Sequence, residues 1–169
     1  VIGVMKVTKA ILPIMRKQGF GKIINISSIS GRIGIPGMSP YVSSKFALEG
    51  YTESLRLEVQ PFGIEVALVE PGSYQTNIWD TSLKRSEMYM NKNSPYSAYI
   101  EAIHAYIHHN KPKYGNPKDV AKLIVTLACK EKLNKLRYPI GSGVKLSLFL
   151  KNILPWKWWE KLMLKNLLK

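Results

Sequence analysis

Residues 25–45 read NISSISGRIGIPGMSPYVSSK, and this stretch decides how the rest of the chain is interpreted. It begins at the end of an apolar run and contains a pair of serines, and Tyr41 lies 13 positions after the second of them, Ser28. Lys45 follows four positions after Tyr41. Side chains four positions apart lie on the same face of a helix, so a helix here would place Tyr41 beside Lys45.

An ammonium group beside a tyrosine changes the chemistry of the phenol. A free tyrosine has a pKa of about 10 and is a poor base at neutral pH, but a cation within roughly 4 to 6 Å favours the phenolate and lowers that pKa. Tyr41 beside Lys45 is therefore a candidate general acid or base, and the Ser28 hydroxyl is a candidate hydrogen-bond partner for the reacting oxygen. A Tyr and a Lys one turn apart also occur on solvated helix faces, so this pair alone is weak evidence.

The surrounding sequence alternates between strand and helix patterns, which favours an α/β fold. Strands are predicted at residues 21–27, 63–71 and 137–146. Helices are predicted at residues 1–19, 41–60, 96–109 and 117–132. A buried strand, a long helix and a second buried strand are typical of a right-handed parallel crossover, and ligands bind beyond the carboxyl ends of such strands.

Apolar spacing predicts which helix faces are buried. In the first helix the predicted buried positions are Val4, Val7, Ile11 and Ile14. In the helix at residues 117–132 they are Val120, Leu123, Ile124 and Leu127. The single cysteine, Cys129, is predicted to be a small core residue; it cannot form an internal disulfide, which agrees with a reducing, cytoplasmic location.

A second motif follows the second predicted strand, where Pro71 and Gly72 end the strand and Thr76 lies four positions after the glycine. NISS at a strand end, Tyr-x-x-x-Lys opening a helix and this Pro-Gly pair together resemble the short-chain dehydrogenase/reductase family. The resemblance implies a doubly wound parallel-sheet Rossmann fold with three α/β/α layers, and NAD or NADP as cofactor. The chain is similar to the C-terminal part of that fold, because it contains no glycine-rich dinucleotide loop after a first strand.

The resemblance also assigns roles to single residues. Tyr41 would exchange the proton with the substrate, Lys45 would lower the pKa of Tyr41 and hold the nicotinamide ribose, and Ser28 would polarise the carbonyl. The cofactor-binding residues that it implies are Tyr41, Lys45, Pro71, Gly72 and Thr76. The substrate-binding residues that we predict are Ser28, Tyr41, Tyr74 and Trp79, the last two from an aromatic-rich stretch after residue 73 that suits a lid over an apolar substrate.

These features predict an NAD(P)-dependent oxidoreductase that reduces ketones or oxidises secondary alcohols on a lipophilic substrate. We expect the complete protein to be active as a homodimer or homotetramer, and these 169 residues alone to be inactive, because they lack the cofactor's adenosine-binding half. The alternative is a non-enzymatic module that associates with membranes or pairs with itself and keeps the catalytic residues by descent.

The chain is basic, with a net charge of +14, which suggests an acidic partner or simply a solvated lysine-rich surface. No recognition motif accompanies the charge, so nucleic acid is not expected, and the three histidines lack the additional ligands of a metal site. We divide the chain into a Rossmann-type part at residues 1–146 and a basic, Trp-rich tail at residues 147–169. The tail is interpreted either as an interfacial helix on an anionic membrane or as a terminal helix that closes the substrate pocket or a subunit contact.

Overall fold

The computed structural model describes residues 1–77 and 93–167 of the chain. Its helices are α1 (Ile2–Gln18), α2 (Ser39–Val59), α3 (Ser97–Asn110), α4 (Pro117–Cys129), α5 (Val144–Ile153) and α6 (Trp156–Leu167). Its strands are β1 (Gly21–Ile26), β2 (Ile64–Pro71) and β3 (Arg137–Ile140). Short 3-10 turns follow β1, α2 and α3, at Ile29–Gly31, Gln60–Phe62 and Lys111–Lys113.

The three strands form one parallel sheet in the order β1-β2-β3. Ile23 of β1 lies opposite Val66 of β2, and Val69 of β2 lies opposite Tyr138 of β3. The predicted α/β fold with parallel crossovers is therefore confirmed. Because the strands run parallel, their carboxyl ends meet at one edge of the sheet, where the residues after β1 and β2 come together.

Helices cover both faces of this sheet. On one face, α1 and α2 pack against β1 and β2, in a core built from Leu12, Met15, Tyr51, Leu55, Val59, Ile64 and Val66. On the other face, α4 packs against the sheet through Val120, Leu123, Ile124 and Leu127, which meet Ala67 and Val69. Successive strand residues point to opposite faces, so a strand covered on both sides is apolar almost throughout, as β2 is.

A polar contact fixes the position of α2 on the sheet. Asn25 Nδ2 of β1 donates to Thr52 Oγ1 at 2.9 Å, and the Thr52 hydroxyl donates to the carbonyl of Leu48 at 2.7 Å. Asn25 and Thr52 are both buried. A buried hydrogen bond stabilises mainly because breaking it leaves unsatisfied groups, so this contact holds α2 in one register along β1.

Three local predictions were wrong. The strand predicted over residues 137–146 ends at Ile140, because Gly141 (φ +125°) and Gly143 (φ +70°) turn the chain into α5. In α1, Val7 and Ile14 are exposed and Thr8 is buried, so the helix docks on a face rotated from the predicted one. Cys129 is exposed, since it lies two positions, about 200° around the helix, from the buried Leu127.

The C-terminal residues form two helices separated at Pro155, and they pack on the loop that follows β1. Their core contains Val144, Leu148 and Trp159, which surround Ile33 of that loop. Trp159 is thus a core residue, whereas Trp156 and Trp158 are 61% and 68% exposed. Among the described residues, no helix has the length and apolar content needed to cross a bilayer.

Candidate active site

Ser28 lies at the carboxyl edge of the sheet, directly beyond β1. The backbone N–H of Ser27 donates to the carbonyl of Val69 at 2.8 Å, which extends the β1–β2 ladder by one residue. The Ser28 hydroxyl then accepts from the N–H of Ser30 at 3.1 Å and lies 3.5 Å from the carbonyl oxygen of Pro71. The structure therefore places two predicted site residues, Ser28 and Pro71, side by side.

Lys45 reaches the same edge from α2. Its Nζ donates to the carbonyl oxygen of Ile26, the last residue of β1, at 3.0 Å, and lies 5.7 Å from the centre of the Tyr41 ring. Burial lowers the pKa of Lys45 from its usual 10.5, and the Glu49 carboxylate opposes this shift. A partly desolvated ammonium acts more strongly on its neighbours than one in bulk water, and the structure places this ammonium between the end of β1 and the Tyr41 ring.

The glycine of the Pro-Gly pair is required by close packing. The N–H of Gly72 donates to the carbonyl of Ile140 at 2.9 Å, and a Cβ on this residue would lie 2.6 Å from Cγ2 of Val144. Any side chain at position 72 would therefore displace the start of α5. Gly72 therefore lets the end of β2 pack directly against the start of α5.

Two other predicted residues lie farther along this loop. Tyr74 is buried, and its ring fills the space that a Cβ on Gly115 would occupy, at 2.6 Å. Burial raises the pKa of Tyr74, and the charge of Asp119 adds to that rise. Thr76 is exposed and lines an open groove with His108 and Lys111. Trp79 lies outside the described residues.

A buried ionic cluster beneath the site was missed by sequence reasoning. Glu70 is fully buried and Glu49 is 5% exposed. Arg137 Nε lies 2.9 Å from Glu49 Oε2 and 3.6 Å from Glu70 Oε1, and Arg32 Nη1 lies 3.8 Å from the same Glu70 oxygen. Burial, and next the negative charge of Glu49, raise the pKa of Glu70 from 4.5 to about 7. Glu70 therefore keeps its proton to a higher pH than an exposed glutamate does.

Two signals in the sequence could have indicated this cluster. Glu49 follows Lys45 by one helical turn, so Tyr41, Lys45 and Glu49 form one stripe on α2. Glu70 is a charged residue that ends an apolar strand directly before the Pro-Gly pair. Carboxylates are almost never fully buried unless they are paired, so a Glu in such a strand indicates a partner.

The sequence of the chain is similar to that of known oxidoreductases. It is 52% identical over 167 residues to the uncharacterized oxidoreductase YusZ of Bacillus subtilis, covering 99% of this chain and 60% of that protein. It is 58% identical over 78 residues to the 3-ketodihydrosphingosine reductase of Bacteroides thetaiotaomicron, which is 46% of this chain and 29% of that enzyme. The chain therefore spans no more than about 60% of the length of either relative.

The fold leads to the same family. The solved structure of ElxO with NADP bound is similar to this chain with a TM-score of 0.63 and 28% sequence identity, over 86% of this chain and 55% of ElxO. The family model described as short chain dehydrogenase matches residues 1–87, which include Ser28, Tyr41, Lys45 and the Pro-Gly pair. The resemblance noted in the sequence is thus confirmed at the level of the family, and the chain belongs to the short-chain dehydrogenase family.

Proposed function

We propose that the protein containing this chain is an NAD(P)-dependent oxidoreductase that reduces ketones or oxidises secondary alcohols on a lipophilic substrate. Ser28, Tyr41 and Lys45 are its catalytic residues in this proposal. The observation that carries it is the placement of Lys45, whose ammonium is tied to the carboxyl end of β1 and lies beside the Tyr41 ring. Ser28 and the Pro71 carbonyl meet at that same edge.

In ketone reduction, Tyr41 donates a proton to the substrate oxygen and Ser28 donates a hydrogen bond to that oxygen. Lys45 stabilises the phenolate that Tyr41 becomes, because an ammonium close to a phenolate lowers the free energy of the charged form. In alcohol oxidation the same residues act in reverse, with the Tyr41 phenolate accepting the proton. The cofactor supplies or accepts the hydride when it is bound.

The residues present suit the nicotinamide end of such a cofactor. Lys45 offers an ammonium donor for ribose hydroxyls, and the exposed Thr76 hydroxyl is available for a carboxamide. The NADP bound in ElxO supports NADP as one candidate, and NAD is the other. Titration with both nucleotides would identify the one used.

We infer that the chain corresponds to the C-terminal part of the doubly wound Rossmann fold, with residues 1–146 in that domain and residues 147–169 as a basic tail. The sequence contains no G-x-G-x-x-G/A pattern that joins a strand directly to a helix, which supports this assignment. On this view the chain alone is inactive. Exposed apolar side chains on α1 and α2, among them Val7, Ile14 and Leu57, support association into a homodimer or homotetramer.

The proposed class of substrate is a ketone or alcohol with a long apolar portion. The 58% identity to a 3-ketodihydrosphingosine reductase, over 78 residues, supports this class.

The test compares the complete protein with its Tyr41→Phe variant on a panel of long-chain ketones, with NADH and NADPH. Both proteins are expected to bind nucleotide, and the variant is expected to lose turnover by about 100-fold or more, because the proton donor is gone. Tyr51→Phe, a tyrosine of the same helix that packs in the core, is the matched control. Equal turnover by the parent and Tyr41→Phe would contradict the proposed mechanism.

A second candidate function is contact with an anionic membrane through the C-terminal helices, and exposed apolar side chains favour it. These are Leu146, Phe149, Ile153, Trp156 and Trp158. Lys151 Nζ lies 4.2 Å from the centre of the Trp156 ring, so a cation and an aromatic ring occur together on this surface. Tryptophan and lysine at one surface suit the headgroup region of a bilayer.

Sedimentation with vesicles tests this second candidate. Binding is expected to vesicles that contain phosphatidylserine and not to pure phosphatidylcholine, and to weaken several-fold in Trp156→Ala/Trp158→Ala. Val125→Ala, at an equally exposed apolar residue on α4, is the control and should bind as the parent does. Binding that survives the loss of both tryptophans would exclude this role for the tail.

A further inference from the structure

We propose that Glu49 and Glu70 share one proton beneath Lys45, and that this carboxyl pair is a positioning device that keeps the catalytic lysine charged. The proposal rests on the function proposed above for Lys45. It concerns two residues that neither exchange protons with the substrate nor contact the cofactor in that mechanism. They act through Lys45.

The first argument is the isolation of Glu70. Its side chain is fully buried at the end of β2, and neither carboxylate oxygen meets a hydrogen-bond donor among the described residues. Arg32 and Arg137 approach no closer than 3.8 and 3.6 Å. An ionised carboxylate without hydrogen bonds is costly in such a place, whereas a protonated one can donate its own proton to a neighbouring carboxylate.

The neighbour is Glu49 of α2, whose carboxylate and that of Glu70 both approach Nε of Arg137, at 2.9 and 3.6 Å. Glu49 Oε2 is engaged by Arg137 Nε at 2.9 Å, and Glu49 Oε1 is buried without a donor among the described residues. Two carboxyl groups that face each other in a buried site do not both ionise readily, because like charges at short range raise the pKa of one of them. The rise in the pKa of Glu70 agrees with this geometry.

The charges around the pair balance when it holds one proton. Arg32 approaches from the turn after β1, Arg137 from β3, and Glu53 from α2, where it binds Arg137 Nη2 at 2.5 Å. Two arginines thus face Glu53, Glu49 and Glu70. With one shared proton the five groups are neutral, and with none they carry one negative charge.

The pair is coupled to the catalytic residues on two sides. Glu49 lies one turn after Lys45, and its negative charge raises the pKa of Lys45 against the effect of burial. Gly31 lies between Glu49 and Ser27, since a Cβ there would be 2.8 Å from both Glu49 Cγ and Ser27 Oγ. The pair is therefore linked to Lys45 through α2, and to the loop that carries Ser28 through the packing at Gly31.

The coupling has a definite direction. When the shared proton leaves at higher pH, the pair gains a negative charge near Lys45, and this charge favours the ammonium form of the lysine. The pair therefore keeps Lys45 protonated under alkaline conditions, in which burial alone would favour the neutral amine. Glu49 and Glu70 thereby extend the pH range over which Lys45 can stabilise the Tyr41 phenolate.

The proton itself can be observed without any assay of turnover. In the complete protein, difference infrared spectra should show the C=O stretch of a buried carboxylic acid at pH 6 that fades by pH 8. The band should be absent in Glu70→Gln and unchanged in Glu58→Gln, which removes an exposed carboxylate farther along α2. Absence of the band in the parent protein at pH 6 overturns the proposal, whatever the variants do.

The pH dependence of kcat/KM for alcohol oxidation tests the positioning role. In Glu49→Gln the alkaline limb is expected to move down by about one pH unit, because Lys45 loses the charge that favours its ammonium form. Glu58→Gln, at an exposed position farther along α2, should retain the parent profile. If the infrared band is present but the pH profile of Glu49→Gln overlays that of the parent, the positioning role is overturned. If the band is present but the parent protein shows no turnover, the proposed function is contradicted instead.

Discussion

The free energy of unfolding of this protein is expected to fall as the pH rises from about 5 to 8, and Glu70→Gln is expected to remove most of that fall. Burial, followed by the charge of Glu49, raises the pKa of Glu70 from 4.5 to about 7 in the folded protein. Between these two values the folded state holds a proton that the unfolded state has released. The free energy of unfolding therefore falls as the pH rises through this range, and the stability due to this proton is largest at acidic pH and lost above about pH 7.

The magnitude follows from the shift. A difference of roughly 2.5 pH units corresponds to about 3 kcal/mol over the full range, of which about 2 to 3 kcal/mol falls between pH 5 and pH 8. Glutamine has nearly the shape of the protonated carboxyl group and cannot ionise. From pH 5 to pH 8, the unfolding free energy of the parent should therefore fall by about 2 to 3 kcal/mol relative to that of Glu70→Gln. An effect of the substitution on packing is the same at both pH values and cancels from this comparison.

Urea denaturation at pH 5 and pH 8, for the parent, Glu70→Gln and Glu58→Gln, measures this double difference. Glu58 is an exposed glutamate near the end of α2. Glu58→Gln should therefore keep the decline that the parent shows at higher pH. Parallel pH dependence in the parent and Glu70→Gln would refute the argument, because it would mean that Glu70 is ionised in the fold over the whole range.

Two further substitutions test how the fold holds the site. Arg56→Met removes a guanidinium that donates to the carbonyls of Val66, Lys135 and Leu133 at 2.6, 3.1 and 3.0 Å. The substitution should lower the free energy of unfolding, measured by urea denaturation, by about 2 to 4 kcal/mol. A loss below about 0.5 kcal/mol would show that water replaces these hydrogen bonds. Leu127→Ala opens a cavity beneath the sheet and should lower it by about 2 to 5 kcal/mol, whereas the exposed Val125→Ala on the same helix should change it by less than about 0.5 kcal/mol.

The order and type of the elements could be predicted from the sequence because they depend on local patterns. The continuous apolar runs that became β1 and β2 are typical of strands buried on both faces, and Pro61 and Gly63 mark the end of α2. The spacing of Tyr41 and Lys45 places them on one stripe of any helix. Ser28 and Pro71 follow neighbouring parallel strands, so their proximity needed only the topology.

The face on which a helix docks was decided by the tertiary structure. The apolar pattern of α1 favoured a face containing Val7 and Ile14, yet the helix buries Thr8 and packs Leu12 and Met15 on the core. Gly21 allows this docking, because a Cβ there would lie 2.6 Å from Met15 Sδ. Several apolar stripes on one helix have similar periodicity, and only the partner surface selects among them.

By itself, therefore, the sequence determined the α/β alternation, the parallel crossover and the shared helix face of Tyr41 and Lys45, since each of these depends on spacing along the chain. Only the tertiary structure brought Arg32, Glu49, Glu70 and Arg137 together, from a turn, a helix and two strands. Their protonation depends on burial and on distances between residues up to 88 positions apart, as for Arg137 and Glu49. Those quantities exist only in the folded molecule, because the pKa of a carboxyl group depends on its solvation and on the charges around it.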